Sequence, residues 1–369
     1  MITVELLPAG YGDAVLLTYG PAVPGPADAT HRILIDGGQA QSFPTVADRL
    51  RSFKEPVDLL VVTHVDTDHI GGAVRLLASK ALPTRFRGIW FNGFVHLNAA
   101  KGMLGPIHGE KLTALIVKSG LPWNEGWAWP DGVPEGVPAG VGGPVVVAGK
   151  PPVMALPGGA TATLLSPTPQ KLVDLLPVWE EVVEMAGLRP DVAGTEDAEV
   201  PVVAPGLLGG VSLEDLAAID TDDDTAEANG SSIAFVFEFE GVRVLFGADA
   251  HSDSLVAGLT TMAGPAGARV RLDACKLPHH GSKGNCTRAV VDLIDCPVWM
   301  ISTNGRRFHH PDDEALARVV HGHDHPQLVW NYRSDRFAAF TKEYPPETSG
   351  YTVHVPDEGS EGFTVRLAD

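Results

Sequence analysis

Cysteine is scarce: Cys275, Cys286 and Cys296 are the three in 369 residues. A small odd number argues against a disulfide framework, and no C-x-x-C pair offers a structural zinc site. A reducing, cytoplasmic compartment is therefore expected. No stretch of about eighteen uninterrupted apolar residues occurs, so no membrane span is expected. The opening Met1-Ile2-Thr3-Val4-Glu5-Leu6-Leu7 alternates like a strand and lacks the layout of a secretion signal. Positive charge is also short, with 27 Lys and Arg against 46 Asp and Glu, a net charge of −19. Such a chain repels polyanions, which argues against non-specific coating of nucleic acid. Bound cations would still reverse the sign locally.

What is present is an ordinary globular balance, 44% hydrophobic and 20% charged, with 41 Gly and 30 Pro that point to many turns and long loops. The length allows one large domain, and a single domain over residues 1–369 is the expectation. The densest chemistry lies in Thr63-His64-Val65-Asp66-Thr67-Asp68-His69-Ile70-Gly71-Gly72, which follows the apolar run Val57–Val62 and precedes a helical pattern over 70–78. His64, Asp66, Asp68 and His69 fall within six residues. On an extended segment, residues two apart point the same way, which puts His64, Asp66 and Asp68 on one side. Imidazoles and carboxylates so crowded require a neutralising cation. A strand-to-helix turn at a sheet edge is where open α/β folds hold ligands.

Further signals recur at strand ends. Gly10-Tyr11-Gly12-Asp13 precedes Ala14–Tyr19, and Ile33-Leu34-Ile35-Asp36-Gly37-Gly38 follows a Pro/Gly-rich loop. A helix is expected over 43–52, with Val46, Leu50 and Phe53 on one face. Others are expected over 109–119, over 170–185, from 251 to 259 and over 312–320. Leu121 to Pro157, rich in Trp, Pro and Gly, reads as a long loop whose tryptophans cover the cleft. His96 and His108 read as surface or core side chains. Residues 189–230 form an acidic insertion ending in Asp220-Thr221-Asp222-Asp223-Asp224, which lacks the spacing of a calcium loop and reads as solvated. Ile233–Phe239 and Val242–Phe246 form a hairpin leading to Gly247-Ala248-Asp249. A strand over 272–277 leads to Pro278-His279-His280-Gly281-Ser282-Lys283, and one over 298–302 leads to Asn304, Arg306, Arg307, His309, His310 and Pro311. The His321-Gly322-His323-Asp324-His325 run reads as a loop without metal.

The H-x-D-x-D-H turn resembles the metallo-β-lactamase superfamily, whose usual motif is H-x-H-x-D-H; Asp66 stands where the second His usually stands. "GYGDAVLL…ILIDGG", "NGSSIAFVFEFEGVRVLFGAD", "KLPHHGSKGN" and the "HHP" turn look most like the catalytic domain of ComEC-type competence proteins and their stand-alone relatives. The resemblance covers about residues 3 to 365, with insertions near 95–160 and 189–225. It implies an α/β, four-layer αβ/βα sandwich with metals at one edge, and Asp249 as the bridging carboxylate. A further metal-binding His usual in relatives is replaced at Asn229 or a nearby Ser.

The expected metal ligands are His64, Asp66, Asp68, His69, Asp249 and His279, holding two divalent ions, Zn²⁺ or Mn²⁺; the many carboxylates suit Mn²⁺ at least as well as Zn²⁺. His279 is preferred over His280 as ligand. Asp68, His280 and His310 are the catalytic candidates. Ser282, Lys283, Asn304 and Arg306 are the expected substrate contacts, Arg being well shaped for phosphate. The implied activity is hydrolysis of a phosphodiester in nucleic acid or a nucleotide. The alternatives are a thioester, lactone or β-lactam hydrolase, or a metal-binding scaffold whose insertions hold a partner protein.

Overall fold

The computed structural model describes residues 1–21, 30–80, 82, 85–100, 111–185, 210–265 and 267–368. His108 and residues 189–209 of the acidic insertion lie outside these. The first five strands are β1 (Ile2–Leu6), β2 (Val15–Tyr19), β3 (His31–Ile35), β4 (Leu59–Val61) and β5 (Ile89–Trp90). The first three run antiparallel, and β3, β4 and β5 run parallel. A second sheet takes β6 (Val153–Ala155), β7 (Thr161–Ser166), β8 (Ala234–Phe239) and β9 (Val242–Phe246). A separate parallel pair, β10 (Val270–Arg271) and β12 (Ile294–Asp295), flanks β11 (Ala274–Lys276), which joins the second sheet with β13 (Val298–Ile301), β14 (Gln327–Trp330) and β15 (Thr352–His354). The last strand, β16 (Phe363–Ala368), returns to the first sheet and pairs with β1. The sheet orders are β16-β1-β2-β3-β4-β5 and β15-β14-β13-β11-β9-β8-β7-β6.

Alternation along these strands fills two interfaces at once. Leu17, Ile33 and Val61 face Phe235, Phe237, Val244 and Met300 between the sheets. Their neighbours Leu16, Leu34 and Leu60 pack outward on Val46 and Leu50 of α1 (Phe43–Arg51) and on Ile70 and Leu76 of α2 (Thr67–Ala78). The helices between α2 and the second sheet's far side are α3 (Phe94–Ala100), α4 (Lys111–Ser119), α5 (Pro169–Leu175), α6 (Trp179–Met185), α7 (Leu213–Ala218) and α8 (Glu227–Gly230). On the second sheet, Leu245, Cys275 and Trp299 pack outward on Leu255 and Leu259 of α9 (Ser252–Ala263) and on Leu316 and Val319 of α11 (Asp313–Gly322); α10 is Arg288–Val291. The result is helices, sheet, sheet, helices: the four-layer αβ/βα sandwich.

Four local expectations give way. The helix expected over 170–185 breaks into α5 and α6, with Pro177 in the short turn between them, because proline removes a helix donor. The strand expected over 272–277 shortens to β11, Ala274–Lys276, because Leu272 and Asp273 donate their N–H groups to Asp295 and Arg243 on different neighbours. The Trp-rich segment does not cover a cleft: Trp123 and Trp127 are buried, Trp123 donating from Nε1 to the Phe91 carbonyl at 2.8 Å and Trp127 lying edge-on to Trp90. Rings this large stabilise most when buried. In the same core, His96 is fully buried, and burial lowers its pKa to about 3, so it is neutral near pH 7. Finally, the acidic run is not simply solvated, as the site geometry below shows. Among the described residues no helix is long and apolar enough to cross a membrane.

Candidate metal centre

Three strands deliver the site. β4 ends at Val61 and leads to Thr63-His64; the chain bends at Val65, Asp66 is extended (φ −70°, ψ 143°), and α2 starts at Thr67. The extended alternation expected for Asp68 thus fails, and Asp68 and His69 project from the first helical turn instead. β9 leads to Asp249, and β11 leads to His279 and His280. Both histidines take left-handed backbone, φ +44° and +53°, at a cost of roughly 1–2 kcal/mol each. Strain of this kind is retained where the surrounding structure over-determines the position.

The side chains converge on Asp249. Its Oδ2 lies 3.2 Å from His69 Nε2, 3.6 Å from His279 Nε2, 3.7 Å from His280 Nε2 and 4.0 Å from His64 Nε2. Asp68 Oδ2 lies 3.4 Å from His280 Nε2 and 3.8 Å from His69 Nε2. Asp66 is more open and stands 3.7 Å from His64 Nε2. One carboxylate the metal-ligand expectations left out joins them: ligand atoms of Asp13, His69, Asp249 and His280 all lie within 4.8 Å of one another.

Each imidazole is fixed from behind. His69 Nδ1 donates to Asp36 Oδ2 at 2.9 Å, and His280 Nδ1 donates to the Ser302 carbonyl at 2.8 Å. The Thr63 hydroxyl donates to Asp36, so its oxygen accepts from His64 Nδ1 at 2.9 Å. Asn285 spends its amide N–H groups on Asp224 and two carbonyls, so its Oδ1 accepts from His279 Nδ1 at 2.8 Å. Those partners assign the tautomers. All four Nε2 atoms therefore face inward. Nε2 of His64, His69 and His280, together with Asp249 Oδ1 and Asp13 Oδ1, are buried with no hydrogen-bond partner. Buried polar atoms are rarely left so. Imidazoles held at one nitrogen by carboxylate, carbonyl or hydroxyl, with the other nitrogen unspent, have the arrangement of metal ligands.

The charges agree. Burial alone would raise the Asp249 carboxyl, but His69, His279 and His280 hold it well below its usual range. Asp13 is likewise held low against burial, chiefly by Lys276, which is itself buried and paired with it. Burial would lower His280, yet Asp13 and Asp249 push it up to about 9. His69 and His279 are also raised against burial, chiefly by Asp249. In the protein alone, protons on these imidazoles supply the positive charge that the carboxylates demand.

The acidic run enters here. Asp224 Oδ2 accepts from Asn229 at 2.7 Å and from Asn285 at 2.9 Å, and lies 3.3 Å from His279 Nδ1. Asn229 therefore holds Asp224. Asp223 accepts from Ser252. Composition alone hid this, because only the fold brings the run beside β11. Lys276 and Asp13 carried a better signal: both stand in the quoted motifs, and a buried lysine demands a partner.

The expected substrate contacts are spread out. Ser282 is buried, and its Oγ accepts from Gly284 N. Lys283 reaches Glu314 at 2.9 Å. Asn304 and Arg306 line a cavity of about 560 Å³ with Gly10, Gln39 and Tyr332. His310 stands edge-on to His279 with ring centroids 5.1 Å apart, its Nδ1 3.4 Å from Asp312. In the His321–His325 run, His323 contacts the Val319 and Ile294 carbonyls.

No curated protein matches the chain. Among solved structures it is similar to the metallo-beta-lactamase fold protein YhfI from Bacillus subtilis, at 11% identity over 99% of this chain and 98% of that one, TM-score 0.35. It is also similar to a metallo-beta-lactamase with a HARLDQ motif from Cronobacter sakazakii, at 14% identity over 92% and 87%, TM-score 0.31. A CmlA beta-hydroxylase variant matches at 12% identity over 99% of this chain and 54% of that one, TM-score 0.35. Residues 27–87, the segment that carries His64, Asp66, Asp68 and His69, match the family model described as the Metallo-beta-lactamase superfamily, and it is this superfamily that the chain resembles.

Proposed function

We propose that the protein is a metal-dependent hydrolase acting on a phosphodiester, in nucleic acid or in a nucleotide, and that it is related in function to ComEC-type catalytic domains. The observation that carries the metal half of this reading is the convergence of Nε2 atoms from His64, His69 and His280, buried and unpartnered, on Asp249. The donor set fits two divalent ions, Zn²⁺ or Mn²⁺. His64, His279 and Asp249 would hold one, with Asp66 beside them. Asp68, His69, His280 and Asp249 would hold the other, with Asp13 at the margin. Divalent ions supply, when bound, a lowered pKa for water and neutralisation of a phosphoryl oxygen.

The chain's own groups do the rest. Asp36 anchors both Thr63 and His69, so one carboxylate sets the orientation of two imidazoles. His279 and Asp66 are the partly exposed members, so the substrate approaches from their side. His310 stands on that side. Burial lowers its pKa despite Asp312, so it is neutral and able to take or return a proton at the mouth of the site. Asn304 and Arg306, in the cavity they line with Tyr332, would hold the remainder of an anionic substrate.

The test is turnover of bis(p-nitrophenyl) phosphate with added Mn²⁺ or Zn²⁺, alongside metal analysis of the purified protein. Asp249→Ala should lower kcat by about a thousandfold or more, since ions in such sites supply several kcal/mol. A variant that keeps its metal and its activity would sink the assignment. Turnover of a thioester, lactone or β-lactam with none of a phosphodiester would keep the site and change the bond. Metal binding with no turnover of any of these would favour the scaffold reading.

A further inference from the structure

Phe308 is an exposed large aromatic side chain, 47% accessible, at the rim of the cluster. It is not isolated. Its ring lies edge-on to Tyr11 at 5.8 Å, with an interplanar angle of 89°, and stacks on His310 at 6.2 Å and 25°. His310 in turn stands 5.1 Å from His279. A ladder of rings therefore runs from the metal ligands outward and ends on the partly exposed Phe308. The guanidinium of Arg307 sits 5.1 Å from both the Tyr11 and Phe308 rings, and its Nη1 donates to Tyr11 Oη at 2.6 Å.

The ladder is held rigidly. Asn304 N–H donates to the Gly10 carbonyl at 2.9 Å, and Gly10 N–H donates to Tyr332 Oη at 2.8 Å. The loop carrying Tyr11 and the loop carrying Phe308 are thus fastened together across the two sheets. His309 between Phe308 and His310 takes φ +60°, a conformation that side chains rarely adopt. Single exposed apolar residues need no explanation. A preorganised flat ring with a guanidinium against it, two ring contacts from a histidine of the cluster, does.

We infer that Phe308, backed by Tyr11 and Arg307, is the stacking platform for a nucleobase joined through its sugar to the phosphate held at the metal cluster. This rests on the phosphodiesterase reading above and narrows it to substrates that carry a base. Flat rings stack on bases without reading sequence, and the positive guanidinium plane favours the same geometry. Stacking gives a chain of net charge −19 a purchase on its substrate that does not depend on a basic surface.

The test compares the affinities of thymidine monophosphate and deoxyribose phosphate for the full metal-loaded chain by calorimetry. Wild type should bind the nucleotide on the order of tenfold more tightly, as stacking energies of ~1–3 kcal/mol per base imply. Phe308→Ala should bring that ratio close to one, and Phe308→Trp should keep it. No measurable nucleotide binding, equal affinities in wild type, or an undiminished ratio in the Ala variant would overturn the inference. Failure of the hydrolase reading shows separately, as no turnover of bis(p-nitrophenyl) phosphate while the affinity ratio is still measured.

Discussion

At the scale of the residue, protons and cations compete for the same nitrogens. His69, His279 and His280 are held above their ordinary pKa by carboxylates, His280 at about 9, so below that pH the metal-free cluster carries protons. A cation needs the Nε2 lone pairs bare, so its binding must expel them. Apparent affinity for Zn²⁺ or Mn²⁺ should therefore rise with pH up to about 9. Calorimetry in buffers of different ionisation enthalpy should show proton release at neutral pH; none released would mean these imidazoles are not the ligands. The same residues show what the sequence made legible. His64, Asp68, His69 and Asp249 stand in recognisable motifs and do meet. Between His279 and His280 the sequence favoured His279 as the ligand, on the ground that adjacent residues at a strand end point to different faces. The left-handed backbone at both turns the two Nε2 atoms to within 3.6 and 3.7 Å of one oxygen.

At the scale of the element, close backbone approach sets the position of α2. A Cβ on Gly37 would come within 2.2 Å of Ala73 N, and one on Gly72 within 1.9 Å of the Gly37 carbonyl oxygen. Gly37 N–H donates to the His69 carbonyl at 2.9 Å, so the contact anchors a ligand-bearing turn. Gly37→Ala should destabilise the protein by roughly 2–3 kcal/mol, as overpacking does. Gly88→Ala, where the nearest atom to a Cβ is 3.5 Å away, should be tolerated. Urea denaturation of both variants checks this; equal stabilities would refute the packing argument. Strand and helix positions were readable because apolar periodicity reports burial directly. Reading the Trp-rich stretch as a cover failed because composition marks a loop and does not say which way its rings turn. Here Asn92 and Asn124 tie that stretch to the core, Asn92 exchanging two hydrogen bonds with Val145 and Asn124 accepting from Phe91 N–H.

At the scale of the whole molecule, the charge of −19 would govern the approach of the anionic substrate proposed above. Repulsion is screened over about 10 Å at 0.1 M ionic strength. kcat/KM on an oligonucleotide should therefore rise as salt is added from low ionic strength, opposite to the behaviour of basic nucleic-acid binders. A fall over that range would show that the local field at the cluster outweighs the global one. The site also belongs to neither sheet alone. Its donors come from β4 and α2 on one side and from the ends of β9 and β11 on the other. An ion lodged there would act as a clasp across the sandwich, so the two leaves would be joined by chemistry as well as by their shared apolar filling, and its departure would loosen both together.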